Sequence, residues 1–150
     1  MVELDDLDRR IMELLLEDAR LSYREIAKRL GVSHASVSSR IRRLEEEKVI
    51  RGYSTILDPE VLDLYPLCIR ISAASGAELS EMGREIADLD RIYVVLRVSG
   101  ECELLVLAMC RDRREAIEIL SKISRIRGIE KAESHVVLET IKMSGRRLKD

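Results

Sequence analysis

The chain has 150 residues, 46% of them hydrophobic and 36% charged, with a formal net charge of −2. Such a composition supports one ordinary domain or two small ones with a packed core, and no apolar run approaches the ~18 residues that cross a bilayer. The first ten residues are acidic where a secretory signal is basic and then apolar, so a cytoplasmic protein with no membrane partner is expected.

The first 50 residues show helical periodicity in three pieces. Asp5 or Asp6 can cap a helix running to about Asp18, with Leu7, Ile11, Leu14 and Leu15 as its buried stripe. Ser22 and Glu25 have capping-box spacing, opening a helix that turns Ile26, Ala27 and Leu30 inward and stops at Gly31. Ser33 caps a third helix in which Val37, Ile41 and Leu44 form the inner face. Two helices joined by so short a glycine-containing turn, with another packed across them, make a helix-turn-helix unit.

Beyond Glu47 the period changes. Val49–Leu57 is β-branched and partly alternating, suiting a strand or an extended connector, and Asp58-Pro59 is a breaker placed like a hinge. We read strands at Leu67–Ala73, Tyr93–Val98, Glu103–Met109 and Glu133–Ile141, and helices at Leu79–Leu89 and Arg114–Ile123. The helices carry the stripes Leu79, Met82, Ile86, Leu89 and Ala116, Ile117, Leu120, Ile123. The order βαββαβ predicts a four-stranded antiparallel sheet with both helices on one face. The expected fold class is therefore α+β. An N-terminal three-helix, winged helix-turn-helix domain (1–50) precedes a strand and hinge linker (51–62) and a ferredoxin-like domain (63–150). Strand residues Leu104–Ala108 are apolar on both sides, and a homodimer through the helix-free face is the simplest way to cover them.

Charge is segregated along the chain. Met1–Ala19 holds seven acids against Arg9 and Arg10, whereas Arg20–Leu44 holds seven bases against Glu25 alone, which favours a surface facing a polyanion over a merely solvated bundle. On the third helix the short residues Ser33, His34, Ala35, Ser36, Ser38 and Ser39 suit close entry into a groove of double-stranded DNA. Arg42 and Arg43 lie on the same outer side. Arg40 points nearer the Val37–Ile41 stripe, as a backbone phosphate contact or a brace against the second helix. The chain has no Asn or Gln, so the bidentate adenine contact is unavailable. A·T preference would then come from His34, serines, thymine methyl packing on Ala35 or DNA bending.

Asn, Gln, Phe and Trp are all absent, which fits growth at high temperature or a biased genome. With only four tyrosines and no Phe or Trp, a stacking platform for single strands is not expected. Cys68, Cys102 and Cys110 are odd in number and lack CxxC spacing, as reduced packing residues do. His34 and His135 are the only histidines and neither stands at metal-ligand spacing. No P-loop, GxGxxG or nucleophile elbow occurs. No catalytic residues, metal or cofactor are therefore expected.

Leu7-Asp8-Arg9-Arg10-Ile11, Tyr23-Arg24-Glu25-Ile26-Ala27, Ser33–Leu44, Val49-Ile50-Arg51-Gly52-Tyr53 and Ser99-Gly100-Glu101-Cys102-Glu103 jointly resemble the Lrp/AsnC (feast/famine) transcription regulators over nearly the whole length. The resemblance implies a regulator that is not an enzyme, dimers assembling into octamers or larger rings, and a small-molecule effector such as an amino acid bound between dimers. It places the effector at Ser99, Gly100, Glu101, Cys102 and Glu103, with Ser134 on the last strand as a further candidate. Glu101 and Glu103 would receive an ammonium group, and free N–H groups of the Gly100 turn a carboxylate; a plain hairpin with exposed acids is the alternative. This chain has Lys48 where the family usually has Gly, lacks the Pro often found near His34 or Ser36, and has Gly-Glu-Cys-Glu in place of Gly-Asp-Tyr/Phe-Asp. Two other functions stay open: a tetrapyrrole decarboxylase of related architecture, and an architectural protein that wraps DNA.

Overall fold

The structure is a computed structural model that describes residues 2–143, 146 and 147. The chain divides into two compact units: Met1–Ile56 with Ile141–Asp150, and Leu57–Thr140. The described residues after Thr140 group with the first unit.

In the first unit, helices α1 (Asp6–Glu17), α2 (Tyr23–Leu30) and α3 (His34–Glu46) enclose a core of Ile11, Leu21, Ile26, Ala27, Val37 and Ile41. Each helix starts on a side-chain cap: Asp5 accepts from the Asp8 N–H, Ser22 from the Glu25 N–H and Ser33 from the Ser36 N–H. Asp5/Asp8 and Ser22/Glu25 are reciprocal capping boxes, satisfying N–H groups that a helix start leaves without intrahelical partners. α3 ends on Lys48 at φ +59, with the Val49 N–H donating to the Leu44 carbonyl (2.9 Å) and the Lys48 N–H to that of Glu45 (3.1 Å). That is a Schellman stop, whose left-handed position favours glycine. Residues 51–58 form no strand; they are the connector alternative, tied to α3 where the Tyr53 hydroxyl donates to Glu45 Oε1 at 2.8 Å. Lys142–Met143 (β5) and Arg146–Arg147 (β6) pair antiparallel.

The second unit follows the expected order: β1 (Tyr65–Ala73), α4 (Leu79–Ala87), β2 (Ile92–Arg97), β3 (Leu104–Cys110), α5 (Arg113–Ile123) and β4 (Ile129–Val136). The sheet order is β2-β3-β1-β4 with every neighbour antiparallel. Leu67, Ile69 and Ile71 of β1 and Leu104, Val106 and Ala108 of β3 share one face and pack with Met82 and Ile86 of α4 and Ala116, Ile119 and Ile123 of α5. The stripe on α5 is corrected by one position, since Ile119 is buried whereas Ile117 is 57% exposed.

The last strand begins four residues earlier than Glu133 and ends at Val136. The apolar run Val136-Val137-Leu138 suggested the later span, but β4 is an edge strand, where charged residues such as Glu130 and Lys131 are tolerated, and Leu138 is 90% exposed. Its entry depends on Gly128, at φ +92, where a Cβ would come within 3.0 Å of Ala77 Cβ and Met82 Cε.

The opposite sheet face carries Val94, Leu96, Leu105 and Leu107 beside Cys68, Arg70, Glu133 and His135. All three cysteines are free; burial pushes the Cys110 thiol up to about 11, leaving it a packing group.

Candidate nucleic-acid interface and effector loop

Val37, Ile41 and Leu44 are buried, which fixes what α3 presents outward. Ser33, His34, Ala35, Ser39 and Arg42 are exposed; Ser36, Ser38, Arg40 and Arg43 are half-buried. The His34 ring lies 6.1 Å from that of Tyr23 at 49°, a tilted contact linking the start of α3 to α2.

Arg40 and Arg43 do not stand free. Ser36, Arg40 and Arg43 lie at i, i+4 and i+7, a single row along the helix, and that row meets the capping box of α1. Arg40 Nη1 donates to Asp5 Oδ1 and Oδ2 at 2.7 and 2.6 Å and to Asp8 Oδ1 at 2.9 Å. Arg43 Nη2 donates to Asp8 Oδ2. The Asp8 side chain is 0% exposed, the one charged residue in either core among the described residues.

The brace expected of Arg40 therefore runs to α1, not α2, and Arg43, expected beside Arg42 on the outer side, turns back to Asp8. The reason is long-range: the separations are 35 and 32 residues, so acids and bases that are segregated along the chain pair in space. Of the third helix's arginines, Arg42 is the one that the described ion pairs leave open. The Arg40 guanidinium holds the Asp5 carboxyl below its ordinary range, and Asp5 in turn raises the pKa of Arg40. Asp5, Ser36, Ser39, Arg40 and Arg43 line a shallow depression over this cluster.

The link between β2 and β3 holds the expected effector residues. The Val98 N–H donates to the Glu103 carbonyl at 3.0 Å and the Glu103 N–H to that of Ile71, also at 3.0 Å, closing a turn in which Gly100 adopts φ +124. Both acids already have partners. Glu103 Oε2 accepts from the Ala73 N–H at 2.9 Å, and Glu101 Oε2 from Arg70 Nη2 at 2.9 Å. Glu101, then Cys102, raise the pKa of Arg70.

Ser99 and Gly100 are exposed and Cys102 half-buried. Ser134 pairs with Ile69 and so shares the helix-facing side of the sheet, whereas Arg70, the partner of Glu101, belongs to the opposite side. Strand alternation thus separates Ser134 from the Arg70–Glu101 pair. Sequence reasoning missed Asp5, Asp8 and Arg70. The capping-box spacing was the visible signal for the first two, while nothing local marks Arg70.

No group of three metal-ligating side chains occurs among the described residues, nor any helix long and apolar enough to cross a membrane.

Residues 4–51 match the winged helix-turn-helix DNA-binding model and residues 67–147 the Lrp/AsnC ligand binding domain. An uncharacterized HTH-type transcriptional regulator of Pyrococcus furiosus is 39% identical over 141 residues, spanning 94% of this chain and 95% of the relative. LrpA of Pyrococcus horikoshii is 30% identical over 140 residues, 93% of this chain and 99% of its own. Among solved structures, Escherichia coli AsnC superposes with TM-score 0.77 at 27% identity, covering 95% of this chain and 97% of that one. A Neisseria meningitidis transcriptional regulator solved in complex with L-Met gives 0.79 at 26% identity, covering 94% of each. A DNA-binding helix-turn-helix followed by this sheet domain, matched along nearly the whole length, makes the chain a member of the Lrp/AsnC family of HTH-type transcriptional regulators.

Proposed function

We propose that the protein is a sequence-specific, double-stranded DNA-binding regulator whose assembly or DNA affinity responds to a small molecule of the amino-acid class. The observation that carries this is the surface of α3. The exposed Ser33, His34, Ala35, Ser39 and Arg42, with Ser36 and Ser38 half-buried beside them, lie over a buried Val37/Ile41/Leu44 stripe in the position of a recognition helix. Short side chains permit close approach to base edges, and arginine supplies phosphate or guanine contacts.

The effector reading rests on the Ser99–Glu103 loop, where Arg70 and Glu101 together offer both signs that an amino acid's carboxylate and ammonium require. The L-Met complex of the Neisseria relative supports that ligand class. A homodimer through the apolar half of the open sheet face would present two recognition helices, giving pseudo-palindromic operators with half-sites about one helical turn (~34 Å) apart.

Selection of binding sites from random duplexes at ~50 mM salt, repeated with the twenty L-amino acids, tests this. Enrichment of a palindromic motif, and an amino acid that shifts the bound fraction, is the expected result. Equal affinity for selected and random DNA would instead favour an architectural wrapper. A responsive amino acid must bind two states of the protein unequally. Loss of its effect in Glu101→Gln with DNA binding intact places it at the loop.

A further inference from the structure

We propose that Asp8, with Asp5, is a positioning residue for DNA binding: the two carboxylates hold Arg40 and Arg43 so that, with Ser36 and Ser39, they form a seat for one backbone phosphate of the duplex. The proposal rests on the recognition role given to α3 above.

The geometry has three parts. The carboxylates engage Arg40 through Nη1 and Arg43 through Nη2; Arg40 keeps its Nη2 and Arg43 its Nη1 outside these bonds, while the Arg43 Nε–H is buried without a partner. Both arginines and the two serines line the same shallow depression on the DNA-facing helix. Asp8 is fully buried, and its own carboxylate also accepts the Asp5 N–H at 3.1 Å, so its position is set by the capping box and not by solvent. A guanidinium anchored on one edge by a fixed carboxylate presents its remaining edge in one orientation. Phosphate recognition by arginine depends on that planar fork, and an anchored fork has less freedom to lose on binding.

Two serines and two arginines line the depression together with Asp5, whose carboxylate disfavours an anion that does not meet the arginines directly. A duplex docked on α3 brings such an oxyanion group beside the helix as part of its backbone.

The effect expected of losing Asp8 is opposite in sign to that of simple electrostatics. Removing an acid from a DNA-binding surface should strengthen binding if that acid merely repels phosphates. In Asp8→Asn we expect duplex affinity to fall at least about tenfold, as for the loss of one charge-assisted hydrogen bond to phosphate. The log–log salt slope should become shallower by up to about 1.8, since two arginine contacts at about 0.9 each are disturbed.

The experiment measures affinity of the full chain for a selected duplex between 50 and 200 mM salt, with far-UV circular dichroism and a thermal melt confirming that the variant is folded at the assay temperature. A folded Asp8→Asn protein that binds as tightly as wild type or more tightly overturns the proposal. If that variant does not fold, Asp5→Asn decides: it keeps an N-cap side chain at an exposed position, and weaker binding supports the seat whereas unchanged or tighter binding overturns it. Arg43→Lys should also weaken binding, because it keeps the charge and loses the fork; unchanged binding counts against the seat. Absence of duplex binding by the wild-type protein would overturn the recognition role of α3 itself, which separates that failure from failure of the seat.

Discussion

Lys48 shows how one residue can carry a visible local cost. It closes the Schellman stop of α3 at φ +59, a left-handed conformation that costs a residue with a Cβ about 1 kcal/mol or more and glycine almost nothing. Lys48→Gly should therefore raise stability, by up to ~1 kcal/mol after the entropy of the unfolded glycine is deducted, measurable by urea denaturation. Carboxylates set the response to acid. Arg111 and Arg91 hold Glu115 down at about 2, with the Arg111 backbone N–H as the largest cause. A depressed carboxylate contributes stability that is fully present above its unfolded value, about 4.3, and is lost as pH falls toward 2. Asp5 is shifted the same way by Arg40, and Glu25 by Ser22. A pH series of melts should show stability falling from about pH 4.5 downward, and Glu115→Gln should flatten that fall while lowering stability at neutral pH.

At the scale of elements, caps and stripes do most of the specifying. Ser22 and Glu25 were legible as a capping box because the motif lies within four residues, and the helix starts there. Ser22→Ala should cost about 1 kcal/mol. On α3 the stripe of Val37, Ile41 and Leu44 was legible for the same reason, as helical period alone identifies a buried face. The roles of Arg40 and Arg43 were only partly legible. Direction around the helix separates Arg40 from the outer face, but the acids that receive both arginines belong to α1, and no local pattern announces that pairing. Arg42, left outside the cluster, should behave as a simple phosphate contact. Arg42→Ala should reduce the salt slope by about 0.9, read from binding isotherms at several salt concentrations.

For the whole molecule, the open face of the sheet matters most. Alternation along β1, β2 and β3 puts one set of side chains under the helices and leaves Val94, Leu96, Leu105 and Leu107 on the other side. If the proposed dimer forms through this face, Leu107→Glu should turn it into a monomer in sedimentation analysis and weaken binding to a two-half-site operator far more than to a single half-site, because the linked second half-site is lost. The interior side stays unaffected, so the variant should keep its secondary structure.

The order of elements, the helical starts, the buried stripes of α1 to α4 and the presence of two units were determined by the sequence itself, because each depends on contacts within a few residues or on a period repeated along one segment. Tertiary structure alone decided which charges remain available. It buried Asp8, tied Arg43 to it, gave Glu101 and Glu103 partners on β1, and put Ser134 on the other side of the sheet from Arg70. An ion pair between residues 32 or 35 apart depends on how helices pack, and a strand's neighbour on which strand lies beside it. Neither leaves a local trace, so electrostatic roles were the part that only three dimensions could assign.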